Sequence, residues 1–338
     1  MNNISTRDAI NAVLASELKR DRHTVYLGET IRDIGATGAS KGLYKAFGPK
    51  QVIETPVSEH GFVGAALGLA LSGFRPIVEI YSADFLFVVA NEIISDIAKW
   101  RQQQARSGGL PITIRGWMGA NHGLGPDHSQ SMESFFHHAP GLTIVCPGTP
   151  GDMAGLLRAA IRSDEPVLVL EHRRIYDLVG PVSSDSNFML DIGRSERIRE
   201  GADVTLVAWA WMRHVAMEAA DLLARDSISV EVIDPKTIKP FDYAPIAESA
   251  LKTGRLVVAE EAPMTGNVGA EIVARISELV DRPLKVSRVA MPDVIHPYSA
   301  KMENEILPNV STVCTTIRKL MRGERTFPAI PAPWARSS

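Results

Sequence analysis

Cysteine, long apolar runs and an excess of one charge sign are all scarce in this sequence of 338 residues. Its two cysteines, Cys146 and Cys314, cannot build a disulfide framework, which favours a reducing, cytoplasmic setting. The apolar run at residues 85–90 is far shorter than the roughly 18 residues of a membrane span, and no signal-peptide pattern precedes it. A net charge of −3 provides no strong positive field, which argues against nucleic acid as a partner.

Short apolar runs alternate with helical patterns along most of the chain. The strand-like runs 25–27 and 77–80 flank a helical pattern at 59–71, and a long helix is expected from about residue 84 to 106. Strands that alternate with helices of about ten or more residues predict an α/β fold, with a largely parallel sheet covered by helices on both faces.

The alternation stops near residue 177 and restarts near residue 201, with Gly, Pro and Ser between. At roughly 150 residues per domain, the length also indicates two domains. We therefore expect a first α/β domain, a linker, a second α/β domain and a proline-rich tail, at residues 1–180, 181–200, 201–325 and 326–338.

Glu59 is the first candidate functional residue. It lies where a helix would begin, just beyond the carboxyl end of a predicted parallel strand, and open α/β sheets bind ligands there. An acid in a first helical turn can also merely complement the helix dipole, so residue type alone leaves both alternatives open. The nearby glycines do not follow the Gly-x-Gly-x-x-Gly spacing, so a dinucleotide site is not predicted.

A second candidate is the glycine-rich stretch at residues 116–131, which contains His122, Asp127 and His128. Backbone freedom and a group that titrates near neutral pH are typical of an active-site loop. The adjacent Asp127, His128 and Ser129 do not predict a serine hydrolase, because neighbouring side chains seldom converge as a triad requires. Phe85 follows another strand and either packs in the core or flanks a planar ligand.

Several motifs occur in a fixed order: Leu27-Gly28-Glu29, Thr55-Pro56-Val57-Ser58-Glu59, Ala83-Asp84-Phe85, His128-Ser129-Gln130-Ser131, Pro140-Gly141-Leu142, Glu171-His172, Asp234-Pro235-Lys236 and Pro297-Tyr298-Ser299. Together they resemble the beta subunit of the thiamine-diphosphate-dependent 2-oxo acid dehydrogenases, as in pyruvate, branched-chain 2-oxo acid and acetoin dehydrogenases. The resemblance extends over most of the chain. It implies a transketolase-type pyrimidine-binding domain followed by a transketolase C-terminal α/β domain.

The resemblance implies that Glu59 is catalytic: it would hold the aminopyrimidine ring of thiamine diphosphate and exchange a proton with a ring nitrogen. That role requires a carboxyl in a mostly apolar pocket, which we expect Val57, Phe62 and Val63 to form.

Three further residues acquire implied roles in the same way. Phe85 would lie beside the pyrimidine ring, and Glu29 would be a cofactor-side acid that relays protons between active sites. His128 would be catalytic at the substrate end, in acyl transfer to a lipoyl group.

The Gly-Asp-Gly segment that holds the diphosphate and Mg²⁺ in thiamine enzymes is missing here, since Gly151-Asp152 is followed by Met153. The resemblance assigns that half of the cofactor to an alpha subunit, so we expect an alpha2beta2 heterotetramer and an inactive isolated chain. It also implies a monovalent cation such as K⁺, bound mainly through backbone oxygens of Ile112, Ala160, Ile161, Ser163 and Glu165. Ser163 stands where an aspartate is frequent.

The 116–131 stretch departs from the family pattern at Asn121, His122 and Asp127, and Asp127 is expected to stabilise protonated His128. The leading hypothesis is a beta subunit that decarboxylates a 2-oxo acid and passes the acyl group to lipoamide on a lipoyl acyltransferase. One alternative is a split thiamine-dependent acyl or ketol transferase, a carboligase with a non-lipoyl acceptor. Another is a non-catalytic scaffold subunit. The sequence leaves the 2-oxo acid open.

Overall fold

The computed structural model describes residues 1–35, 37–103 and 108–324. Its first half contains β1 (Asn2–Ser5), α1 (Thr6–Arg20), β2 (Thr24–Glu29), α2 (Leu43–Phe47), β3 (Val52–Thr55), α3 (Glu59–Leu71), β4 (Arg75–Ile80), α4 (Trp100–Gln103), β5 (Thr113–Met118), α5 (Glu133–His137), β6 (Thr143–Val145), α6 (Pro150–Arg162), β7 (Val167–His172) and β8 (Val179–Val182). Its second half contains β9 (Glu196–Arg199), β10 (Val204–Ala208), α7 (Met212–Ala224), β11 (Val230–Asp234), β12 (Thr237–Lys239), α8 (Ala244–Thr253), β13 (Arg255–Pro263), α9 (Val268–Leu279), β14 (Lys285–Met291), α10 (Ala300–Ile306) and α11 (Val310–Arg322).

Helix α1 shows how the sequence sets a boundary. Ser5 caps its first turn, since the Ser5 hydroxyl oxygen accepts a hydrogen bond from the backbone N–H of Asp8 at 3.0 Å. Lys19 and Arg20 occupy the last turn, where positive charge complements the helix dipole. The apolar positions between these ends recur at helical spacing and are buried in the core.

The first sheet has the strand order β3-β2-β4-β5-β7-β6-β12, and all neighbours are parallel except β12, which is antiparallel to β6. Alternate residues of β2 point to opposite faces. Tyr26 packs with α1 and α6, whereas Val25 and Leu27 pack with α3. Every residue of β2, β5 and β7 is buried, as expected for a parallel sheet covered on both faces.

The second sheet has the order β14-β13-β10-β11-β9, parallel except for β9. Helices α7 and α11 cover one of its faces, and α8 and α9 cover the other. The predicted α/β fold with helix-covered, largely parallel sheets is therefore confirmed. The expected linker, 181–200, overlaps β8, which pairs with β1, and β9, which pairs with β11.

A buried ion-pair network crosses the middle of the first sheet. Arg115 on β5 donates to both carboxylate oxygens of Glu171 on β7, at 2.8 and 2.6 Å, and also pairs with Glu79 on β4. Removing three charges from water costs free energy that only close pairing offsets. The network therefore fixes the register of three neighbouring strands more than it adds stability.

Side chains of the two halves meet directly. Trp209 at the end of β10 donates its indole N–H to Glu133 on α5 at 3.1 Å, and His172 lies 3.0 Å from Glu261. Strand β12 comes from the second half yet extends the first sheet. The halves are thus joined by backbone pairing and by buried polar contacts.

The long helix expected at 84–106 is wrong. The structure instead has a 3-10 helix at Ala83–Phe87, a π-helix at Glu92–Ile97 and then α4. The first piece is held by Asp84, which accepts hydrogen bonds from Gln130, and the second widens where Ala98 N–H reaches the carbonyl of Ile93. Residues 104–106 and the predicted tail at 326–338 lie outside the described residues.

Candidate active site

The predicted site residues come from the ends of parallel strands. Glu29 ends β2, Glu59 follows β3, Phe85 follows β4 and His128 follows β5. Carboxyl ends of parallel strands lie at the same edge of a sheet, so the topology places all four along one edge.

Glu29 and Glu59 form a carboxyl pair. Glu29 is buried, and burial together with the negative charge of Glu59 raises the pKa of Glu29. One carboxylate oxygen of Glu29 is buried without a hydrogen-bond partner among the described residues. The pair therefore contains an acid whose pKa is raised and one of whose oxygens has no partner among the described residues.

The three residues expected to form an apolar pocket around Glu59 do not enclose it in the described structure. Phe62 and Val63 are fully buried, but both belong to the core beneath α3. Val57 is 76% exposed and Glu59 itself is partly exposed. Glu59 begins α3, and the three residues before it are exposed. This part of the site is an open face.

Phe85 and His128 are brought together. Their rings meet edge to face, with centroids 5.4 Å apart and an interplanar angle of 78°. Asp84 fixes this contact, since one of its carboxylate oxygens accepts from the backbone N–H and the side-chain amide of Gln130, at 3.2 and 3.0 Å. Ser82 donates to the other oxygen at 2.7 Å. The segment that follows β4 is therefore bound, through Asp84, to the loop that carries His128.

Trp117 and Arg173 also belong to this site, and the sequence did not single them out. Trp117 stacks on His128 with centroids 6.3 Å apart, and the guanidinium of Arg173 lies 3.4 Å from the centre of the Trp117 ring. Arg173 also donates to the backbone carbonyl of His128. Burial lowers the pKa of Arg173 to about 10, so it remains charged at neutral pH.

Two sequence signals could have indicated these residues. Trp117 lies at the carboxyl end of the buried strand β5, and Arg173 directly follows the Glu171-His172 motif at the end of β7. Together with Asn121 they line a small cavity of about 210 Å³.

The expected contact between Asp127 and His128 is wrong. Among the described ion pairs none joins these two side chains, and Asp127 instead accepts a hydrogen bond from the Tyr298 hydroxyl at 3.3 Å. Adjacent side chains on a turn point in different directions, so proximity in sequence did not produce contact. His122 has a positive φ of 67° and is exposed.

Comparisons with known proteins show which family the sequence belongs to. Two family models fit the chain: "Transketolase, pyrimidine binding domain" over residues 2–178 and "Transketolase, C-terminal domain" over residues 193–313. The 2-oxoisovalerate dehydrogenase subunit beta of Bacillus subtilis is 39% identical over 326 residues, which are 95% of this chain and 99% of that protein. This chain belongs to the 2-oxo acid dehydrogenase beta-subunit family.

Further relatives extend the comparison. The beta subunit of acetoin:2,6-dichlorophenolindophenol oxidoreductase of Cupriavidus necator is 36% identical over 333 residues, covering 95% of this chain and 98% of that protein. A solved split gene transketolase, described as an inactive beta4 tetramer, superposes with a TM-score of 0.77 at 24% identity, covering 96% of this chain and all of that one. The structural likeness shows the fold alone.

Membership of this family implies thiamine diphosphate as the cofactor.

The backbone oxygens expected to bind a monovalent cation belong to another part of the first sheet. They lie at the opposite edge of the sheet, before β5 and between α6 and β7, away from Glu59 and His128.

The five cation-loop oxygens already accept hydrogen bonds from the protein. Arg75 donates to the carbonyls of Ile161 and Ser163, at 3.3 and 2.9 Å. Backbone N–H groups reach the carbonyls of Ala160 and Ile112, and the Ser163 hydroxyl donates to the carbonyl of Glu165. The Arg75 guanidinium therefore lies beside two of the expected ligands. Because a carbonyl oxygen that accepts one hydrogen bond keeps a second lone pair, the K⁺ site stays a prediction.

Within the three described ranges, no helix is both long and apolar enough to span a membrane.

Proposed function

We propose that this chain decarboxylates a 2-oxo acid together with an alpha subunit and transfers the acyl group to a lipoyl group on an acyltransferase. One observation carries the proposal: a carboxyl pair, Glu29 and Glu59, and an aromatic–imidazole pair, Phe85 and His128, share one sheet edge. The relatives named above are subunits of a 2-oxoisovalerate dehydrogenase and of an acetoin oxidoreductase. A cytoplasmic location forms part of the same proposal.

The open face suits the aminopyrimidine ring of thiamine diphosphate. Glu29 has a buried oxygen without a partner in the described ranges, and Val57 exposes an apolar side chain beside Glu59. Both features disappear when a flat, partly polar ligand covers them. Glu59, Glu29, Val57 and Phe85 would hold the ring. When bound, the cofactor supplies a nucleophilic carbon that adds to the 2-oxo acid and stabilises the charge left by decarboxylation.

The two carboxyls would manage protons at this face. Glu59 would hold and return a proton at the ring nitrogen, which is the work of a general acid–base group. Because the charge of Glu59 raises the pKa of Glu29, a proton on one carboxyl stabilises the negative charge of the other. Glu29 is thereby suited to pass protons to its neighbour.

His128 would act on the acyl acceptor. A histidine can donate a proton near neutral pH, so His128 would protonate the acceptor sulfur as the acyl group is transferred. Phe85 and Trp117 pack against its ring, and Arg173 holds its backbone carbonyl. These contacts would keep water away from the imidazole and fix its direction.

An alpha subunit would complete the open face. Helix α3 exposes Gly61, Gly64, Ala65 and Gly68, and a Cβ atom added at Gly64 or Gly68 would meet nothing in this chain. Small exposed residues allow another subunit to approach the backbone closely. The missing Gly-Asp-Gly segment assigns Mg²⁺ and the diphosphate to that subunit, and we propose an alpha2beta2 heterotetramer.

The test is to assemble the chain with its alpha subunit and supply pyruvate, branched-chain 2-oxo acids and acetoin in turn. Acylation of a lipoyl domain is followed by mass spectrometry, beside reduction of 2,6-dichlorophenolindophenol. We expect both activities with at least one of the 2-oxo acids. Activity with acetoin alone, which has no carboxylate to lose, would contradict the decarboxylation step. Dye reduction or carboligation to an aldehyde, without acylation of any lipoyl domain, would contradict the proposal and favour the transferase.

A further inference from the structure

The loop that carries His128 is held by the second half of the chain. We name residues 119–128 the His128 loop. Ala120 donates its backbone N–H to Glu261 on β13 at 2.7 Å, and Gly123 donates its N–H to Glu303 on α10 at 3.1 Å. Two carboxylates from the C-terminal domain thus fix a loop of the N-terminal domain.

Tyr298 packs into a slot that only glycine can form. Gly123 and Gly125 have positive φ angles of 69° and 76°. A Cβ atom added at Gly125 would collide with the Tyr298 ring, and one at Gly123 would lie 2.5 Å from the Tyr298 carbonyl oxygen. The Tyr298 hydroxyl also donates to Asp127 at 3.3 Å. The Tyr298 side chain therefore contacts the loop at Gly125 and Asp127, and its backbone approaches Gly123.

Neither Tyr298 nor Glu303 serves mainly to stabilise the apolar core. Tyr298 is 69% exposed, so its ring contributes little to the apolar core. Glu303 is only 1% exposed, and its one side-chain hydrogen bond in the described ranges goes to Gly123. Burying a carboxylate costs free energy, and the hydrogen bond from the His128 loop, together with the nearby positive charge of Arg173, offsets part of that cost.

A shift of Gly125 would be passed to His128 through a single hydrogen bond. The backbone N–H of His128 donates to the carbonyl of Gly125 at 3.4 Å, which closes a turn on the glycine beneath Tyr298. From the other side Arg173 donates to the carbonyl of His128. The imidazole is thus positioned between a contact from the C-terminal domain and one from the end of β7.

We propose that Tyr298 and Glu303 are positioning residues for His128, so that the docked C-terminal domain sets the geometry of acyl transfer. The inference rests on the proposed function for the step that it affects, but not for the loop geometry. It gives the Pro297-Tyr298-Ser299 motif a physical role: the motif begins the turn into α10 and presents the tyrosine ring to the two glycines.

The experiment uses the assembled alpha–beta complex with Tyr298→Ala, Tyr298→Phe, Glu303→Gln and, as control, Met302→Ala. Met302 lies on α10 beside Glu303 and is 60% exposed. Misplacing a reacting group by about 1 Å can cost about 100-fold in rate, so Tyr298→Ala should lower kcat for lipoyl acylation about 10- to 100-fold, with a smaller effect on dye reduction. Tyr298→Phe keeps the ring in the slot and should therefore retain most of the wild-type kcat. The kcat of Glu303→Gln should lie between those of the two Tyr298 variants.

Hydrogen exchange provides the readout that does not depend on activity. Amides of residues 119–128 should exchange faster in Tyr298→Ala than in wild type, while those of β2 and β4 remain unchanged. The thermal midpoint should stay within about 2 °C of wild type, because Tyr298 is exposed.

Two results separate the possible failures. Wild-type exchange in the His128 loop of Tyr298→Ala, together with unchanged kcat, would overturn the positioning role. If wild type acylates no lipoyl domain, the proposed function fails, but faster loop exchange in Tyr298→Ala would still support the contact.

Discussion

The sheet edge has two regions that differ in how completely this chain builds them. The proposed cofactor face consists of Glu29, Val57 and Glu59, where the Val57 side chain is exposed and no described residue pairs with one buried carboxylate oxygen of Glu29. The His128 loop, in contrast, is bonded by Glu261 and Glu303 from the second half of the chain. The His128 loop is thus fixed by contacts within the chain, whereas the proposed cofactor face is open and, we expect, only half built.

The difference indicates how the two steps depend on assembly. We expect the proposed cofactor face to need an alpha subunit before it can bind the cofactor, because Val57 and Glu59 are uncovered in the described structure. The His128 loop needs only the chain's own two domains. Substitutions at the face should therefore act on cofactor chemistry, and substitutions at the loop should act on the acceptor step.

The largest effect is expected for Glu59→Gln. The amide cannot exchange a proton with the ring nitrogen, and loss of a general acid–base group typically costs about 100- to 10,000-fold in rate. Steady-state turnover of the assembled complex measures this, with Glu54→Gln on β3 as a matched acid outside the site. Normal turnover of Glu59→Gln with cofactor bound would remove Glu59 from this role.

His128→Ala should have the next largest effect, and an unequal one. Lipoyl acylation should fall about 100-fold, whereas dye reduction should fall less, because the histidine acts after decarboxylation. Parallel assays of both activities measure the ratio, and His122→Ala provides a control within the same loop. Equal losses in both assays would place His128 in substrate binding or decarboxylation instead.

Glu260, which precedes the loop-binding Glu261, should have a smaller effect. It should change how the free energy of unfolding depends on pH. Burial raises the pKa of Glu260 to about 8, although the N–H of Gly269 opposes this shift. The folded state keeps a proton that the unfolded state loses near pH 4.5, so stability falls as pH rises from there to about 8.

Glu260→Gln should flatten that fall. Thermal midpoints measured between pH 5 and about 9 should decline less steeply in the variant than in wild type, while the exposed Glu218→Gln should follow wild type. Identical slopes for wild type and Glu260→Gln would show that Glu260 is ionised throughout.

The smallest effect is expected for Asp127→Asn. The Asp127 carboxyl faces the Tyr298 hydroxyl, and an asparagine oxygen can accept the same hydrogen bond. The pH–rate profile for lipoyl acylation should therefore be unchanged. A move of its basic limb to lower pH would show that Asp127 acts on His128 directly.

Local motifs were enough to predict that four candidate site residues lie near one another. Glu29, Glu59, Phe85 and His128 each lie in a short motif near the end of a predicted strand, and a parallel topology brings such ends together. The alternation of strands and helices likewise predicted the α/β fold. These features depend on residues close in sequence, so one chain is enough to read them.

The remaining contacts depend on distant partners. Arg173 meets His128 across 45 residues, and Tyr298 meets Asp127 across 171. Strand β12 has three residues and joins a sheet built by the other half of the chain. Hydrophobic periodicity does not specify which loop a side chain or short strand meets. The apolar pocket around Glu59 was misjudged because burial of Phe62 and Val63 in the core is a tertiary outcome.

The claim that the cofactor face is only half built is tested most directly by calorimetric titration of thiamine diphosphate and Mg²⁺ into the purified chain, alone and with its alpha subunit. We predict no detectable binding to the chain alone and saturable binding to the assembled complex. Micromolar binding by the isolated chain would contradict the account.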